Sequence, residues 1–258
     1  MVTELGLGAM DTPQSAQGAA TLAAATELGI NFVDTAREYE GSEFLIGQQV
    51  RAGGAAELHI SSKTFSHTLD GSQRDIDRSL SMLGVERVSL YQLHDISTAE
   101  AWERVMREDG ALAGLKVAQF RGLIDHIGLS SHSDEVLHAA ITCGEFSSVM
   151  LEYSAFFPQT ASLIALAAEH DVGVIVMRPL GGSGRTSVMR GRIDEGDGGP
   201  LTPANLLRYV LSNPDVTVAI PGARYPSRVR ENVETASTYE PMDAAERAVL
   251  EAEAALLY

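Results

Sequence analysis

The 258-residue sequence contains one cysteine, Cys143. A lone cysteine excludes an internal disulfide, and it excludes a zinc or iron–sulfur site built from cysteines. Free cysteines are among the most buried residue types, so we expect Cys143 to be a small apolar side chain of the core. The remaining evidence for function must therefore come from other residue types.

Basic residues and long apolar runs are also scarce. The 19 lysines and arginines face 35 acidic residues, which gives a net charge of −16. A surface this acidic repels phosphate backbones and anionic lipids, so we expect neither a nucleic-acid nor a membrane partner. No segment approaches the ~18 consecutive apolar residues of a membrane span, and the N-terminus lacks the pattern of a secretory signal. We therefore expect a cytoplasmic protein.

Short β-branched runs alternate with longer segments of helical periodicity. The runs end near Gly8, Asp34, Lys63, His94, Leu129, Glu152, Met177 and Ile220. Eight units of about 32 residues each match the strand-plus-helix unit of a parallel barrel. We predict an α/β protein, a (β/α)8 TIM barrel that forms a single domain over residues 1–258.

Three features along the chain refine this prediction. Helix starts are expected at Thr202–Pro203 and at Asp243, because capping residues and an N1 proline are typical there. Residues 178–185, after the seventh strand, are predicted to be a glycine-rich loop. Residues 191–200 contain four glycines and a proline, a composition that predicts a mobile loop.

Ionisable residues finish three neighbouring strands. Asp34 ends the second, with Tyr39 five residues later, Lys63 ends the third and His94 ends the fourth. Because barrel chemistry lies at the C-terminal ends of the strands, we expect the four side chains to converge. Asp34 would compensate the buried lysine, whose charge is expected to lower the pKa of Tyr39 from about 10. Tyr39 could then protonate a carbonyl oxygen that His94 positions, which favours carbonyl reduction.

Several short motifs support this interpretation through their order. They are DTAREY at 34–39, SE at 42–43, SSK at 61–63, LYQLHD at 90–95, GLSS at 128–131, IPG at 220–222 and EN at 231–232. In this order they resemble the aldo-keto reductase family, over nearly the whole chain. The resemblance implies that Asp34, Tyr39, Lys63 and His94 are a catalytic tetrad with Tyr39 as general acid. It also implies that NADPH (NADP+) binds across the barrel mouth, so GLG at 6–8 is not half of a dinucleotide fingerprint.

The resemblance also implies which residues contact the nicotinamide. Ser130 and Ser131 stand where a serine–asparagine pair holds its carboxamide. Met150 stands where a glutamine usually shares that task, and Met177 where an aromatic ring often stacks on the nicotinamide. A thioether packs well against a ring but offers no comparable hydrogen bond.

The resemblance further implies phosphate contacts after the last two strands. The loop at 178–185, with Arg178, Leu180 and Gly182, would bind the pyrophosphate through its amides and arginines. Arg224 and Arg228 would hold the adenosine 2′-phosphate and Asn232 the adenine. The family's usual lysine after the proline is Gly222 here, so the arginines would carry the phosphate.

Two other functions remain open. Lys63 could form a Schiff base, as in an aldolase, or the chain could be an NADPH-binding regulatory subunit with little turnover. In the favoured interpretation the substrate is a small aldehyde or ketone, or an alcohol or sugar in the reverse direction.

We expect no catalytic metal, and a monomer or small homo-oligomer. An N-terminal hairpin across the barrel bottom is expected to be missing. Candidate pocket linings are Met10, Arg37, Phe65 and Trp102.

Overall fold

Eight parallel strands form one sheet in sequence order. The structure is a computed structural model that describes residues 1–53, 58–194 and 199–257. The strands are β1 (Leu7–Gly8), β2 (Phe32–Asp34), β3 (His59–Thr64), β4 (Val88–Leu93), β5 (Ile124–Ser130), β6 (Ser148–Glu152), β7 (Gly173–Met177) and β8 (Val218–Ala219). The helices are α1 (Ala16–Glu27), α2 (Ser42–Arg51), α3 (Leu69–Leu83), α4 (Ala99–Met106), α5 (Ala111–Phe120), α6 (Asp134–Thr142), α7 (Ala161–Glu169), α8 (Ser183–Asp194), α9 (Pro203–Leu211), α10 (Pro226–Thr238) and α11 (Ala244–Ala255). The predicted (β/α)8 barrel is confirmed.

The first and last strands meet and close the barrel. Leu5 and Gly8 form parallel bridges with Ala219 and Gly222, and the Gly6 amide donates to the Ala219 carbonyl at 2.8 Å. A Cβ added at Gly8 would lie 2.8 Å from the Ile220 carbonyl oxygen. The glycines at 6–8 therefore serve the seam of the barrel, because only a residue without a side chain allows this close approach.

Side chains inside the barrel form two layers. The lower one, called here the apolar layer, consists of Phe32, Leu90, Met150, Ile175, Val218 and Ile220. Strand residues alternate between faces, so the residue two places further along points into the barrel one layer higher. By this rule Asp34, Gln92 and Glu152 lie one layer above Phe32, Leu90 and Met150, and Lys63 is the register partner of Gln92. We call these four polar residues the mouth layer; Met177 lies at the same level, as the register partner of Glu152. The same strands therefore supply an apolar floor and a polar mouth.

Helix starts follow local capping chemistry. The side chains of Ser15, Thr68, Thr98, Ser133 and Thr202 each accept from a backbone amide three residues on. Asp243 and Glu246 form a reciprocal capping box. The helix starts predicted at Thr202–Pro203 and at Asp243 are confirmed.

Three local predictions are wrong. Helix α8 begins at Ser183, so the glycine-rich loop is shorter than 178–185. The same helix continues to Asp194, so residues 191–194 are helical rather than loop, and residues 195–198 lie outside the described chain. Cys143 is exposed instead of buried, because it follows the last residue of α6 on the outside of the barrel. None of the helices in the described ranges is long and apolar enough to cross a membrane.

Candidate active site

A buried ion pair lies at the centre of the mouth layer. The Lys63 side chain is fully buried, and its Nζ donates to Asp34 Oδ2 at 2.5 Å and to the Thr35 carbonyl at 2.8 Å. Burial lowers the pKa of Lys63 by more than the charge of Asp34 raises it. The ammonium therefore depends on its two acceptors, since an unpaired charge at this depth would be costly.

The other oxygen of Asp34 is held by residues that the sequence did not single out. Asp34 Oδ1 accepts from Ser61 Oγ at 2.9 Å and from Gln92 Nε2 at 3.3 Å, and Gln92 Nε2 also lies 2.8 Å from Ser61 Oγ. A signal was available, because Ser61 and Gln92 lie two residues before Lys63 and two residues before His94, at polar positions that share one face of their strands. These contacts fix the carboxylate from both sides.

The segment that carries Tyr39 is fixed where α2 begins. Thr35 Oγ1 donates to Ser42 Oγ at 2.7 Å, and Ser62 Oγ donates to the buried Glu43 carboxylate at 2.7 Å. Gly41 has a φ of 64° immediately before the helix. Ser42 and Glu43, the SE motif, therefore hold the loop that carries Tyr39. Arg37, which was a candidate for lining the pocket, forms an ion pair with Glu43.

All four predicted tetrad residues meet at the mouth. Lys63 Nζ lies 4.8 Å from the centroid of the Tyr39 ring, and the rings of Tyr39 and His94 are edge-to-face at 5.5 Å. The expected lowering of the Tyr39 pKa is wrong for this state, because burial and the charges of Asp34 and Glu38 raise that pKa. Lys63 does not reverse the effect, since Asp34 compensates its charge. Tyr39 therefore keeps its proton through neutral pH.

His94 is enclosed by two further side chains. Phe65 stacks on the imidazole at 4.0 Å between ring centroids, and Glu38 Oε2 lies 3.4 Å from His94 Nδ1. Burial opposes ionisation of Glu38, but hydrogen bonds from His94 and from backbone amides outweigh it and lower its pKa. Two other candidates for lining the pocket are placed differently. Trp102, on α4, packs against Phe146 and the main hydrophobic core, and Met10 is exposed.

The predicted nicotinamide contacts lie on β5 to β7. Ser130 Oγ accepts from the Asp95 amide at 2.9 Å, and Ser131 Oγ accepts from the Ser133 amide at 3.0 Å. Both serines are therefore already used to shape the loops around the mouth. Met150 is 2% exposed and belongs to the apolar layer, with Met177 packed against that layer. The two methionines thus form part of an apolar floor.

A cluster that the sequence interpretation missed lies at the end of β6. Glu152 Oε1 accepts from Arg178 at 2.6 Å and from His132 at 2.9 Å. Glu152 Oε2 is buried and has no partner within the described ranges. Burial opposes ionisation, but His132 and Arg178 outweigh it, so the pKa of Glu152 is lowered. The signal was a charged residue two places after Met150, on the inward face of the strand.

The predicted phosphate contacts follow β7 and β8. Arg228 donates to both carboxylate oxygens of Glu231, at 2.6 and 2.8 Å, while Arg224 lies 3.5 Å from Asp11. Asn232 and Glu231 line a cavity of about 330 Å³ between α9 and α10. Leu180 is buried, and Gly182 has a φ of 88° before α8. Both arginines, which follow β8, are therefore already paired with a carboxylate.

This arrangement defines a class of protein. A closed (β/α)8 barrel carries at its mouth a phenol and an imidazole beside a buried lysine–aspartate pair, which suits acid–base chemistry at a carbonyl. The model of the Aldo/keto reductase family matches residues 4–200. The chain belongs to the aldo/keto reductase family and is an oxidoreductase of that family.

Individual relatives agree with this assignment. The uncharacterized oxidoreductase YqkF of Bacillus subtilis is 24% identical, covering 92% of this chain and 88% of its own. Morphine 6-dehydrogenase of Pseudomonas putida is 27% identical, with coverage of 89% and 81%. A crystal structure of an aldo-keto reductase from Klebsiella pneumoniae in complex with NADPH has a TM-score of 0.80 at 21% identity, with coverage of 98% and 91%. That structure supports the fold.

Proposed function

We propose that this protein reduces an aldehyde or ketone to an alcohol with NADPH, or oxidises an alcohol or sugar in reverse. The observation that carries the proposal is the convergence of Asp34, Lys63, Tyr39 and His94 in one buried site at the barrel mouth. A relative named as a dehydrogenase supports including the reverse direction.

The residues at the mouth fit a dinucleotide. Gly181 and Gly182 have positive φ values immediately before α8, and the N-terminus of a helix is a favourable place for a phosphate. Arg178 precedes these glycines, and Arg224 and Arg228 follow β8, so cations stand after the last two strands of a chain with a net charge of −16. An NADPH complex of a protein of the same fold supports this choice of cofactor. In this proposal Ser130, Ser131 and the methionine floor contact the nicotinamide.

The bound dinucleotide would supply a hydride to the carbonyl carbon. Tyr39 Oη holds the proton needed at the carbonyl oxygen, because the raised pKa of Tyr39 keeps the phenol protonated at neutral pH. The Lys63 ammonium, 4.8 Å from the ring centroid, offsets part of the negative charge left when that proton departs, the rest of its charge being compensated by Asp34. His94 orients the carbonyl oxygen beside the phenol. The apolar layer below excludes water from the site.

The geometry does not favour a Schiff-base aldolase. The Lys63 amine is fully buried and donates to two oxygens, so it is neither free nor exposed to attack a carbonyl. A regulatory subunit would need the nucleotide site but not the tetrad, so the close packing of all four side chains argues for turnover.

The test is a turnover screen with NADPH. Oxidation of the cofactor is followed by its absorbance over a panel of sugars, aromatic aldehydes and dicarbonyls, alongside calorimetric measurement of NADPH binding. We expect binding and turnover with at least one carbonyl class. Binding without turnover across the panel would favour the regulatory subunit, and borohydride trapping of a substrate on Lys63 would favour the aldolase.

A further inference from the structure

Only one of the two carboxylate oxygens of Glu152 accepts hydrogen bonds. Both of its donors, Arg178 and His132, contact Oε1, at 2.6 and 2.9 Å. The other oxygen, Oε2, is buried and has no hydrogen-bond partner in the part of the chain that the structure describes. A buried acceptor without a donor is costly, and native structures keep few of them. A buried acceptor of this kind at the mouth of the barrel indicates where a ligand donor belongs.

The position of Glu152 narrows down the ligand. It ends β6, where its register partner is Met177 on β7, and Met150 lies two residues earlier on the same face. Glu152 therefore lies one layer above Met150 and beside Met177, at the level of Asp34 and Lys63. Arg178 also contributes to the electrostatics of Tyr39, whose pKa it lowers in part against burial and Asp34. The cluster of Glu152, Arg178 and His132 therefore lies close to the catalytic phenol at the mouth.

We propose that Glu152 Oε2 accepts a hydrogen bond from the carboxamide NH2 of the nicotinamide, an inference that rests on the proposed function. A hydride can reach a carbonyl beside Tyr39 only if the nicotinamide lies over this mouth. The carboxamide carries the only N–H donors of that ring. Met150 and Met177 offer only thioether sulfur, a weak acceptor, whereas an ionised carboxylate is a strong one.

The test compares two dinucleotides that differ in this donor alone. NADP+ carries the carboxamide, and its 3-acetylpyridine analogue replaces the NH2 by a methyl group while keeping the carbonyl. Dissociation constants are measured by calorimetry for the wild-type protein, for Glu152→Gln and for His132→Leu. In Glu152→Gln the single amide oxygen stays on Arg178 and His132, which places the NH2 where Oε2 was. In His132→Leu only a donor to Oε1 is lost.

We expect the wild-type protein to bind NADP+ about tenfold more tightly than the analogue, or more, as fits a hydrogen bond to a charged acceptor. We expect the ratio to fall close to one in Glu152→Gln and to persist in His132→Leu. Glu152→Leu, checked for folding by circular dichroism, should also lose the discrimination.

Two results would overturn the inference while leaving the proposed function intact. They are equal affinity of the wild-type protein for both dinucleotides, and a ratio that survives in both Glu152 variants. The second result would leave Oε2 to a substrate hydroxyl instead. Failure of the wild-type protein to bind either dinucleotide would overturn the proposed function, and this inference with it.

Discussion

The two halves of the barrel mouth hold their charges in different ways. Between β2 and β4, Lys63 is fully buried, and its hydrogen-bond acceptors are the Asp34 carboxylate and the Thr35 carbonyl, both inside the barrel. After β8, the side chains of Arg224 and Arg228 are 62% and 37% exposed, and they pair with the carboxylates of Asp11 and Glu231, which are 34% and 47% exposed. Buried pairs are costly to break, whereas exposed pairs contribute little. The first half is therefore preorganised for chemistry, and the second can exchange its carboxylates for a ligand's phosphates.

The largest effect on stability and turnover is expected from breaking the buried Lys63–Asp34 ion pair in the preorganised half. Lys63→Met leaves the Asp34 carboxylate buried without its cation, which should lower the free energy of unfolding by about 3–5 kcal/mol and abolish turnover. Urea denaturation measures the stability. The double variant Asp34→Leu/Lys63→Met removes both charges and should regain most of the stability but no activity. Unchanged stability of the single variant would refute the contrast between the two halves.

A smaller effect is expected in the exchangeable half. Arg228→Ala should weaken NADPH binding about tenfold and NADH binding much less, because the lost charge-assisted bonds go to the 2′-phosphate. Glu231→Gln is the matched variant, since it releases Arg228 from its present partner and should tighten NADPH binding. Equal effects of Arg228→Ala on both cofactors, measured by calorimetry, would rule out a 2′-phosphate contact.

The smallest effect concerns Glu38 beside His94. The pKa of Glu38 lies below its ordinary 4.5, so the folded state binds this proton less readily than the unfolded state. Its stabilisation is therefore present above pH of about 4.5 and is lost as the pH falls through the lowered pKa. Glu38→Gln should remove this component, which is under about 1 kcal/mol because the side chain is one-third exposed.

The control for Glu38 is Glu40→Gln, which removes the same charge two residues away. Unfolding free energies are measured from neutral pH down to the acid transition. We expect the acid limb of the Glu38→Gln profile to be flatter than that of the wild-type and Glu40→Gln proteins. Parallel profiles for all three proteins would show that the contact with His94 contributes nothing.

The strands and the convergence of the tetrad were predictable from the sequence. Each predicted strand end lies within one residue of the observed end, because parallel-barrel strands are short apolar runs that stop where polar residues begin. Asp34, Lys63 and His94 stand at those ends, and the fold alone brings them together. Local capping chemistry likewise placed the starts of α9 and α11.

Other parts of the site depend on contacts that no single strand encodes. Gln92 matters because its amide reaches Ser61 on the neighbouring strand β3 and Asp34 on β2, one strand further on. Glu152 matters because both of its donors choose the same oxygen, which leaves the other unpartnered. The sign of the Tyr39 pKa shift depends on burial and on the compensation of Lys63 by Asp34. These are properties of three-dimensional packing, which spacing along the chain does not determine.

The most direct test of the account is the turnover of Tyr39→Phe against that of Tyr239→Phe. The first variant removes the proposed proton donor, and the second removes a phenol that contacts the Leu211 carbonyl far from the tetrad. With NADPH and a carbonyl that the wild-type protein reduces, we predict that kcat falls about 100-fold or more in Tyr39→Phe, with the Kd for NADPH unchanged. Tyr239→Phe should keep wild-type kcat. A Tyr39→Phe protein that retains most of kcat would contradict the account.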